Sequence, residues 1–243
     1  MEFLFDLHVH SSASDDGCME IEKIINTARA KGLSGVAVCD HGKALKKPID
    51  REDFLVIPAL ELATEYGHLL GLFVTEDIAH ESFEDAVTKI KEQGGIAVLA
   101  HPFQKNCQEE KIEKIAHLID GAEVFNSRAS YKYPDANKKA YAFAKRRGLL
   151  FFAGSDAHTE YEIGNACVAL EAESLNSEDI KKALSQKENR FCGQSSKRIY
   201  IAKSQKIKLK KKKAGAVAYI KWSIFYIKCA LLDLFVKGES VCL

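Results

Sequence analysis

The sequence predicts an α/β protein whose strands form a small, distorted barrel. Two observations support this fold class: short apolar runs with the character of strands recur through the first 195 residues, and amphipathic helical patterns lie between several of them. Repeated strand–helix units favour parallel pairing of neighbouring strands. Seven or eight strands in so short a stretch suit a barrel better than an open sheet.

Eight predicted strands follow one another along the chain. Each is a short, mostly apolar run that a turn or an amphipathic segment separates from the next. They are Phe3–Val9, Gly35–Cys39, Leu55–Ala59, Leu69–Val74, Ile96–Ala100, Ala122–Phe125, Leu149–Ala153 and Ala166–Leu170.

Five helices are predicted between or after these strands. Apolar residues spaced i, i+3, i+4 and i+7 indicate a helix that buries one face. Three sets have this spacing, beginning at Ile21, Phe83 and Ile112, and the segments Asp135–Arg147 and Ser177–Ser185 complete the series. The expected N-caps are Ser82 and Ser177, and the expected helix stops are Gly32, Gly94 and Gly148.

The chain changes character near residue 197. Its net charge is only +1, but residues 197–243 hold 12 Lys/Arg and 2 Asp/Glu, so this part carries +10 and residues 1–196 carry −9. A hydrophobic content of 47% excludes disorder for most of the chain, because burial can offset the entropy of ordering. We therefore expect a barrel domain over residues 1–196, then a basic linker and an amphipathic C-terminal helix over residues 197–243.

The cysteines predict free thiols in a reducing compartment. The seven of them show neither a CxxC motif nor paired spacing, and the opening MEFLFDLHVH lacks the features of a signal peptide. They are Cys18, Cys39, Cys107, Cys167, Cys192, Cys229 and Cys242. The expected location is therefore cytoplasmic, and a zinc finger is excluded.

Histidines and acids fall at the ends of the predicted strands. Residues two apart in an extended chain face the same way, so His8 and His10 project together, and Asp156 and His158 have the same spacing. The other strand ends offer Asp40, His41, Glu61, His101, Glu123, Asn126 and Arg128, and His68 precedes the next strand. In a parallel barrel, active sites are built at the carboxyl ends of the strands.

This donor set predicts a cluster of divalent metal ions. Imidazoles and carboxylates without cysteine suit Zn²⁺, Mn²⁺ or Fe²⁺. The number of donors exceeds what one ion can bind, so two or three ions per chain are expected, and such clusters can clamp a phosphate and activate water. Each motif alone also has a structural explanation, such as a polar strand edge or a helix cap, but their joint placement favours the metal site. His80 and His117 are expected at the surface.

Six motifs occur in order along the first 195 residues. They are DLHVHSSASDDG at the N-terminus, CDH at 39–41, PALE at 58–61, GH at 67–68, LAHP at 99–102 and GSDAH at 154–158. Together they resemble the PHP (polymerase and histidinol phosphatase) superfamily, and in particular its small stand-alone metal-dependent phosphoesterases. The resemblance implies a distorted seven-stranded β/α (TIM-like) barrel of the PHP type, here with a C-terminal helical extension, and a trinuclear metal site.

The resemblance also implies a ligand set. The first metal would be bound by His8, His10, Glu61 and Asp156, with Glu61 bridging; the second by His41, His158 and an acid of the SSASDDG loop; and the third by Glu61, His68 and His101. Asp15 and Asp16 both fit the position of the loop acid, and Asp16 is favoured. Asp40 is expected to orient an imidazole or to cap a helix.

Further roles follow for residues beside the metals. Arg128 is expected to clamp phosphate, because a guanidinium fork matches phosphate oxygens, and Asn126 is a weaker candidate of the same kind. His158, Asp156 and Glu61 form the expected catalytic set. The predicted activity is hydrolysis of a phosphomonoester of a small metabolite or nucleotide by a metal-activated hydroxide. The alternatives are a nuclease or oligonucleotide phosphatase and a non-catalytic metal-binding module.

The C-terminal tail leaves several partners open. Lys206, Lys208 and the run 210–213 precede a hydrophobic stretch, residues 216–236, which is interrupted by Lys221, Lys228 and Asp233. These charges disfavour a membrane-spanning helix. Three uses remain: an interfacial helix on an anionic membrane, which would make the protein peripheral; a helix docked on its own barrel or across a homo-oligomer; and attraction of nucleic acid.

Overall fold

The computed structural model describes residues 1–104, 109–131, 133–186 and 189–243, and Cys107 lies outside them. One sheet of eleven strands dominates the described residues. The strands are Glu2–Val9 (β1), Gly35–His41 (β2), Ile49–Arg51 (β3), Phe54–Thr64 (β4), Gly67–Leu72 (β5), Ile96–Ala100 (β6), Gly121–Asn126 (β7), Leu150–Gly154 (β8), Ala166–Glu171 (β9), Arg190–Gln194 (β10) and Ser240–Cys242 (β11).

The sheet is mixed and curls into a half-barrel. Its strand order is β11-β10-β9-β1-β2-β4-β5-β6-β7-β8, and β3 pairs with β4. The pairs β1–β2, β2–β4, β6–β7 and β7–β8 are parallel, whereas β5 is antiparallel to both of its neighbours and β9 is antiparallel to β1. The eight predicted strands are all present, but the expected parallel pairing is wrong at β5 and β9. At β5 the reason is that β4 and β5 form a hairpin with a short turn.

One end of the sheet, β8, curls back toward the interior strand β1 and approaches it at its carboxyl end. A single parallel bridge joins Val9 to Ala157, just after β8, in place of a continuous ladder. Gly154 permits this approach, since a Cβ there would lie 2.3 Å from the Cβ of His8. The mixed α/β class is therefore confirmed, while the described strands form a larger, incompletely closed sheet rather than a regular seven-stranded barrel.

Seven α-helices occur in the described residues. They are Ile21–Ala30 (α1), Phe83–Glu92 (α2), Glu109–Ile115 (α3), Ala136–Arg147 (α4), Ser177–Leu184 (α5), Arg198–Lys211 (α6) and Ala216–Phe235 (α7). Ser82 caps α2 as predicted, its hydroxyl accepting the backbone N–H of Asp85 at 3.1 Å. The prediction for α5 is wrong by one residue, because the Asn176 side chain accepts the Asp179 N–H at 2.8 Å and leaves Ser177 as the first helical residue.

Helices pack against the sheet through the apolar faces that the sequence predicts. On α1 the buried residues are Ile24, Ile25 and Ala28, and they join a cluster with Val36 and Val38 of β2. A larger cluster contains the buried faces of α2, α3, α4 and α5. The core therefore fixes the positions of the strands, and the polar residues at the strand ends lie at the edge of this core.

The tail differs from its prediction in two ways. The basic segment expected to be a linker is the helix α6. Its lysines contact oxygens of the loop after β1, which offset the repulsion between their charges. Lys208 Nζ lies 3.1 Å from an Asp15 carboxylate oxygen, and Lys211 Nζ lies 2.6 Å from the Ser14 carbonyl. The final strand β11 pairs with β10, where Cys192 and Cys242 form a disulfide.

That disulfide makes the prediction of free thiols wrong for this pair. Antiparallel pairing places the two cysteines opposite each other, which a separation of 50 residues along the chain could not reveal. Cys18, Cys39, Cys167 and Cys229 are free. Among the described residues, no helix has the length and apolar character that crossing a membrane requires.

Candidate metal centre

The end of β1 supplies two imidazoles to one point. His8 and His10 are fully buried, and their Nε2 atoms lie 3.1 Å apart, as their spacing along an extended strand predicts. The Asp156 carboxylate lies after β8, with Oδ1 at 3.4 Å from His10 Nε2 and 3.9 Å from His8 Nε2. These three side chains form one group that could hold a metal ion.

A single carboxylate, Glu61 on β4, lies between several imidazoles. Its Oε1 is 2.6 Å from His68 Nδ1 and 3.2 Å from His101 Nε2. Its Oε2 is 3.0 Å from His41 Nε2. His8 Nε2 and His10 Nε2 also lie within 3.8 Å of one or the other oxygen. This buried glutamate therefore connects five histidines, the position expected of a bridging ligand.

His68 lies at the site because its strand is antiparallel to both neighbouring strands. It lies at the start of β5, and because β5 is antiparallel to β4 and β6, its beginning lies beside their ends. His68 pairs with Ala63 of β4 and with Ala100 of β6, next to His101. Glu61, His68 and His101 form a second group of donors.

A third group lies between the loop after β1 and the segment after β8. His158 Nε2 is 3.1 Å from Asp16 Oδ1, and His41 Nδ1 is 3.8 Å from the same oxygen. Asp16 is buried, whereas Asp15 is more exposed and also pairs with Lys208. His41 and Asp15 are within 3.5 Å, so both acids approach this group, but only Asp16 faces both histidines.

Three of the imidazoles are oriented by a partner on the nitrogen that faces away from the cluster. His8 Nδ1 lies 3.1 Å from Glu123 Oε1, and His10 Nδ1 lies 3.0 Å from the Ser14 hydroxyl, which donates to Asp40. His158 Nδ1 lies 2.8 Å from the backbone carbonyl of Asp156. Protonation of Nδ1 in these contacts leaves the Nε2 lone pairs free to bind a cation.

Acidic groups dominate the electrostatics of the cluster. Burial alone lowers the pKa of His8, but the neighbouring carboxylates of Glu123 and Asp156 outweigh burial and raise that pKa to about 10. Burial likewise raises the pKa of Glu61, yet hydrogen bonds with His101 and other histidines hold it well below its ordinary value. The carboxylates are therefore ionised, and the site favours positive charge.

Two residues of the site have a backbone conformation that is rare outside glycine. His101 has φ = 29° and Asp156 has φ = 56°, both in or near the left-handed region. Such conformations cost of order 1–3 kcal/mol each and persist where the surrounding structure imposes them. His101 directly follows β6 and Asp156 lies two residues after β8, so the strained backbone turns each side chain toward the cluster.

The donor set fits divalent cations. It combines imidazoles, which bind a cation after losing a proton, with ionised carboxylates and contains no thiolate, as expected for Zn²⁺, Mn²⁺ or Fe²⁺. Within the described residues, Asp16 Oδ1 is buried and accepts no hydrogen bond of good geometry. A buried carboxylate oxygen without a well-oriented hydrogen-bond donor lowers the stability of the folded chain unless a cation binds it. The groups that carry these ligands are His8/His10/Asp156, Glu61/His68/His101 and His10/His41/His158, with Asp16 beside the last.

Comparison with known proteins agrees with this arrangement. Residues 6–161 match the PHP domain family, and residues 134–189 match a PHP-associated family. The chain belongs to the PHP domain family. Divalent metal binding at the strand ends is therefore expected of its fold as well as of its residues.

Relatives are found in archaea and bacteria. An uncharacterized protein of Methanocaldococcus jannaschii is 34% identical over 174 residues, which cover 67% of this chain and 68% of the relative. A probable phosphatase of Acetivibrio thermocellus is 22% identical over 201 residues, covering 68% of this chain and 83% of the relative.

Solved structures share the fold of this PHP protein. A two-domain protein from Bacteroides vulgatus containing a predicted PHP-like metal-dependent phosphoesterase has a TM-score of 0.64 at 18% identity, over 79% of this chain and 64% of that one. A lesion-specific endonuclease from Pyrococcus furiosus has a TM-score of 0.60 at 19% identity, over 76% and 56% of the two chains. This chain thus spans less than two thirds of either protein.

The two residues expected to bind substrate have other partners in the PHP site. Asn126 is fully buried, and its amide donates to Glu123 Oε2 at 2.9 Å while its carbonyl accepts the Arg128 N–H at 2.9 Å. The Arg128 fork donates from Nε and Nη2 to the two oxygens of Glu162, at 2.7 and 2.6 Å. These contacts occupy the Asn126 side chain and the bidentate face of Arg128, although Arg128 also lines the cavity above the cluster. The role of both residues in substrate binding stays a prediction.

A cavity of about 890 Å³ opens above the cluster. Its floor includes the ligand candidates Asp16, His41, Glu61, His68, His101, Asp156 and His158. Its wall comes from the tail, with Ile201, Trp222 and Phe225 as apolar residues and Lys208 and Lys221 as cations. The two other histidines lie away from the cluster: His117 is exposed, and His80 Nε2 contacts the Ala63 carbonyl at 3.0 Å.

Sequence reasoning missed the residues that support the ligands. Glu162 is fully buried and, besides binding Arg128, accepts the backbone N–H of His158 at 3.2 Å. Ser14 orients His10, and Glu123 was noted only as a donor at a strand end. No local signal separates these polar residues from ordinary surface ones, because their partners are distant along the chain.

Proposed function

We propose that this PHP protein hydrolyses phosphomonoesters of small molecules with the help of divalent metal ions. The observation that carries the proposal is Glu61, one buried carboxylate surrounded by five imidazoles that four different strands position. Gathering so many titratable groups away from water is costly to the folded chain. Divalent cations would repay that cost, so the arrangement supports a metal-dependent activity.

The residues would divide the work as follows. His8, His10 and Asp156 would hold one ion, Glu61, His68 and His101 another, and His41 and His158 with Asp16 a third. Divalent ions bound there lower the pKa of water and neutralise phosphate charge. Glu61, Asp156 and His158 form the proposed catalytic set, because each of them lines the cavity as well as a donor group.

The cavity supports a small substrate. Its volume of about 890 Å³ lies in the range of small-molecule sites, and residues of α6 and α7 line one side of it. Trp222 and Phe225 offer an apolar surface to the part of the substrate that leaves with the ester oxygen. Among the described residues of the cavity lining, Arg128 binds Glu162 and Lys208 pairs with Asp15, which leaves Lys221 to attract an anionic substrate.

A second candidate function is cleavage or dephosphorylation of an oligonucleotide. Lys208 and Lys221 line the cavity, and α6 carries further lysines that suit a phosphate backbone. The similarity in fold to a lesion-specific endonuclease is consistent with this candidate. The wall that α6 and α7 add to the cavity favours a chain end over the middle of a long strand, which makes cleavage of an oligonucleotide the second choice.

The test uses the full chain. Elemental analysis should find two or three divalent ions per chain, and Mn²⁺-loaded protein should release phosphate from an aryl phosphate, with activity abolished by a chelator. A panel of histidinol phosphate, nucleoside mono- and bisphosphates and labelled single strands then separates the two candidates. Internal cleavage of strands without phosphate release would favour the nuclease. Metal-loaded protein that is inactive on the whole panel would contradict both and leave a non-catalytic metal-binding module.

A further inference from the structure

The outer face of α7 is covered by exposed apolar side chains. Seven of them lie in the helix, each between 53% and 82% exposed: Val217, Ile220, Ile224, Ile227, Leu231, Leu234 and Phe235. Elsewhere in the described residues, the large apolar side chains that are similarly exposed are Met1, Tyr161, Val236 and Leu243. A contiguous patch of this kind is unusual for a folded chain and marks an interaction surface.

The patch is a consequence of helical spacing. Six of the seven residues recur alternately three and four positions apart from Val217 to Leu234, which places them in one stripe along the helix. The other side of α7 is already packed: the Trp222 indole donates to the Ala202 carbonyl at 2.7 Å, and Cys229 is fully buried. The fold therefore holds the helix by one side and leaves its apolar stripe facing outward.

Positive charge borders the stripe. Lys221 and Lys228 are exposed beside it on α7, and Lys210, Lys212 and Lys213 are exposed where α6 ends. The one acid of α6 and α7 is Asp233, which is largely buried and accepts N–H groups of Arg198 and Ile199 at 2.9 Å. Lys212 lies 3.6 Å from an Asp15 carboxylate oxygen of the loop after β1, but α6 and α7 contribute no exposed carboxylate of their own. The surface is thus apolar with a predominantly cationic border.

We propose that the outer face of α7 binds the surface of an anionic membrane, with the helix lying parallel to the bilayer. Apolar side chains would enter the boundary between headgroups and acyl chains, and the bordering lysines would contact anionic headgroups. Pairing with a second copy of α7 fits less well, because the lysines of the two helices would find no acid to pair with. Lys221 also lines the catalytic cavity, so binding would bring that cavity close to the membrane surface.

Vesicle flotation tests this proposal. The full chain should float with phosphatidylcholine vesicles that contain phosphatidylserine, and much less with phosphatidylcholine alone. The double variant Ile224→Ser/Ile227→Ser should bind at least tenfold more weakly. Lys210→Gln and Lys228→Gln should each weaken vesicle binding about fivefold, because each lysine near the membrane surface adds a similar attraction to anionic headgroups. Lys138→Gln and Lys139→Gln on α4, which are also exposed, provide matched controls and should change little.

The outcomes are distinguishable because the substituted side chains are exposed and the variants should remain folded by circular dichroism. Equal flotation of the parent chain and the Ile224→Ser/Ile227→Ser variant would overturn the proposal. Equal binding to neutral and anionic vesicles would overturn its electrostatic part. A dimer in analytical ultracentrifugation that the same double variant dissociates, without flotation of the parent chain, would assign the stripe to a second copy.

Discussion

The metal centre and the outer face of α7 depart in opposite ways from the usual distribution of residues. In the metal centre, charged and titratable side chains such as Glu61 and Asp156 are buried. On α7, large apolar side chains such as Ile224 and Leu234 are exposed. Folding alone favours neither arrangement, because buried charges lose hydration and exposed apolar groups gain no burial.

The two regions also differ in how their residues are supported. Ligand candidates such as His8 and His10 have hydrogen-bond partners, which orient their rings through Nδ1. The apolar stripe has no such network, since it projects from a helix that is anchored on its other side. A site that must hold ions in one geometry needs this support, whereas a surface that meets a fluid membrane does not.

The largest expected effect comes from removing the central charge of the metal centre. Glu61→Gln should lower phosphatase turnover more than about a thousandfold, because the amide cannot supply an anionic oxygen to the surrounding sites. Metal content, measured by elemental analysis, should fall with it. The control is Glu84→Gln, which changes an exposed carboxylate on α2. Full metal content and turnover in the Glu61→Gln protein would remove the basis of the proposed function.

The next effect concerns the buried ion pair beside the cluster. Arg128→Leu should lower the free energy of unfolding by about 3–5 kcal/mol, because it leaves Glu162 buried without its partner. Arg146→Leu removes an exposed pair with Glu113 and should cost less than about 1 kcal/mol. Urea unfolding measures both. An Arg128→Leu protein of unchanged stability but with a much raised KM would restore the role of phosphate clamp.

A smaller effect should follow from removing the hydrogen-bond partner that orients one imidazole. Ser14→Ala removes the hydroxyl that contacts His10 Nδ1 and should weaken metal affinity about tenfold, the lower range for partners of ligands. Metal titration of the chelator-treated protein measures this change. Ser12→Ala in the same loop serves as the control, and equal affinities of the two variants would mean that Ser14 does not orient the ligand.

The smallest effect is expected on the apolar stripe. Ile224→Ser/Ile227→Ser should change the free energy of unfolding by less than about 0.5 kcal/mol and leave aryl phosphate turnover unchanged, because both side chains project outward. Trp222→Ala, on the packed side of the same helix, should cost about 2 kcal/mol. A large loss of stability in the double variant would mean that the stripe packs within the protein. It would contradict the contrast between the buried metal centre and an exposed apolar face.

Much of the fold could be predicted because its signals are local. The run that became β1 and the spacing of Ile24, Ile25 and Ala28 in α1 depend only on neighbouring residues, and both elements are present. The strands β3, β10 and β11 were missed because they are short or exposed on one side, and α6 was missed because its charges are balanced by distant oxygens.

The candidate site shows the same division. The side chains of His8 and His10 lie on the same face because successive side chains of a strand alternate between its two faces. Their spacing of two residues is therefore enough to predict this arrangement. Whether Arg128 faces a substrate or Glu162 depends on the path of the chain 34 residues later, and nothing near Arg128 indicates it.

The sequence by itself determined eight of the strands, the apolar faces of α1 to α5 and the chemical nature of the donors, because each depends on periodicity or on side-chain type. Only the tertiary structure decided that β5 runs antiparallel and presents His68 from its beginning, that Arg128 binds Glu162, and that α6 and α7 form a wall over the cluster. The physical reason is that these arrangements result from closing the chain over long separations, where the choice of partner depends on the packing of the whole molecule.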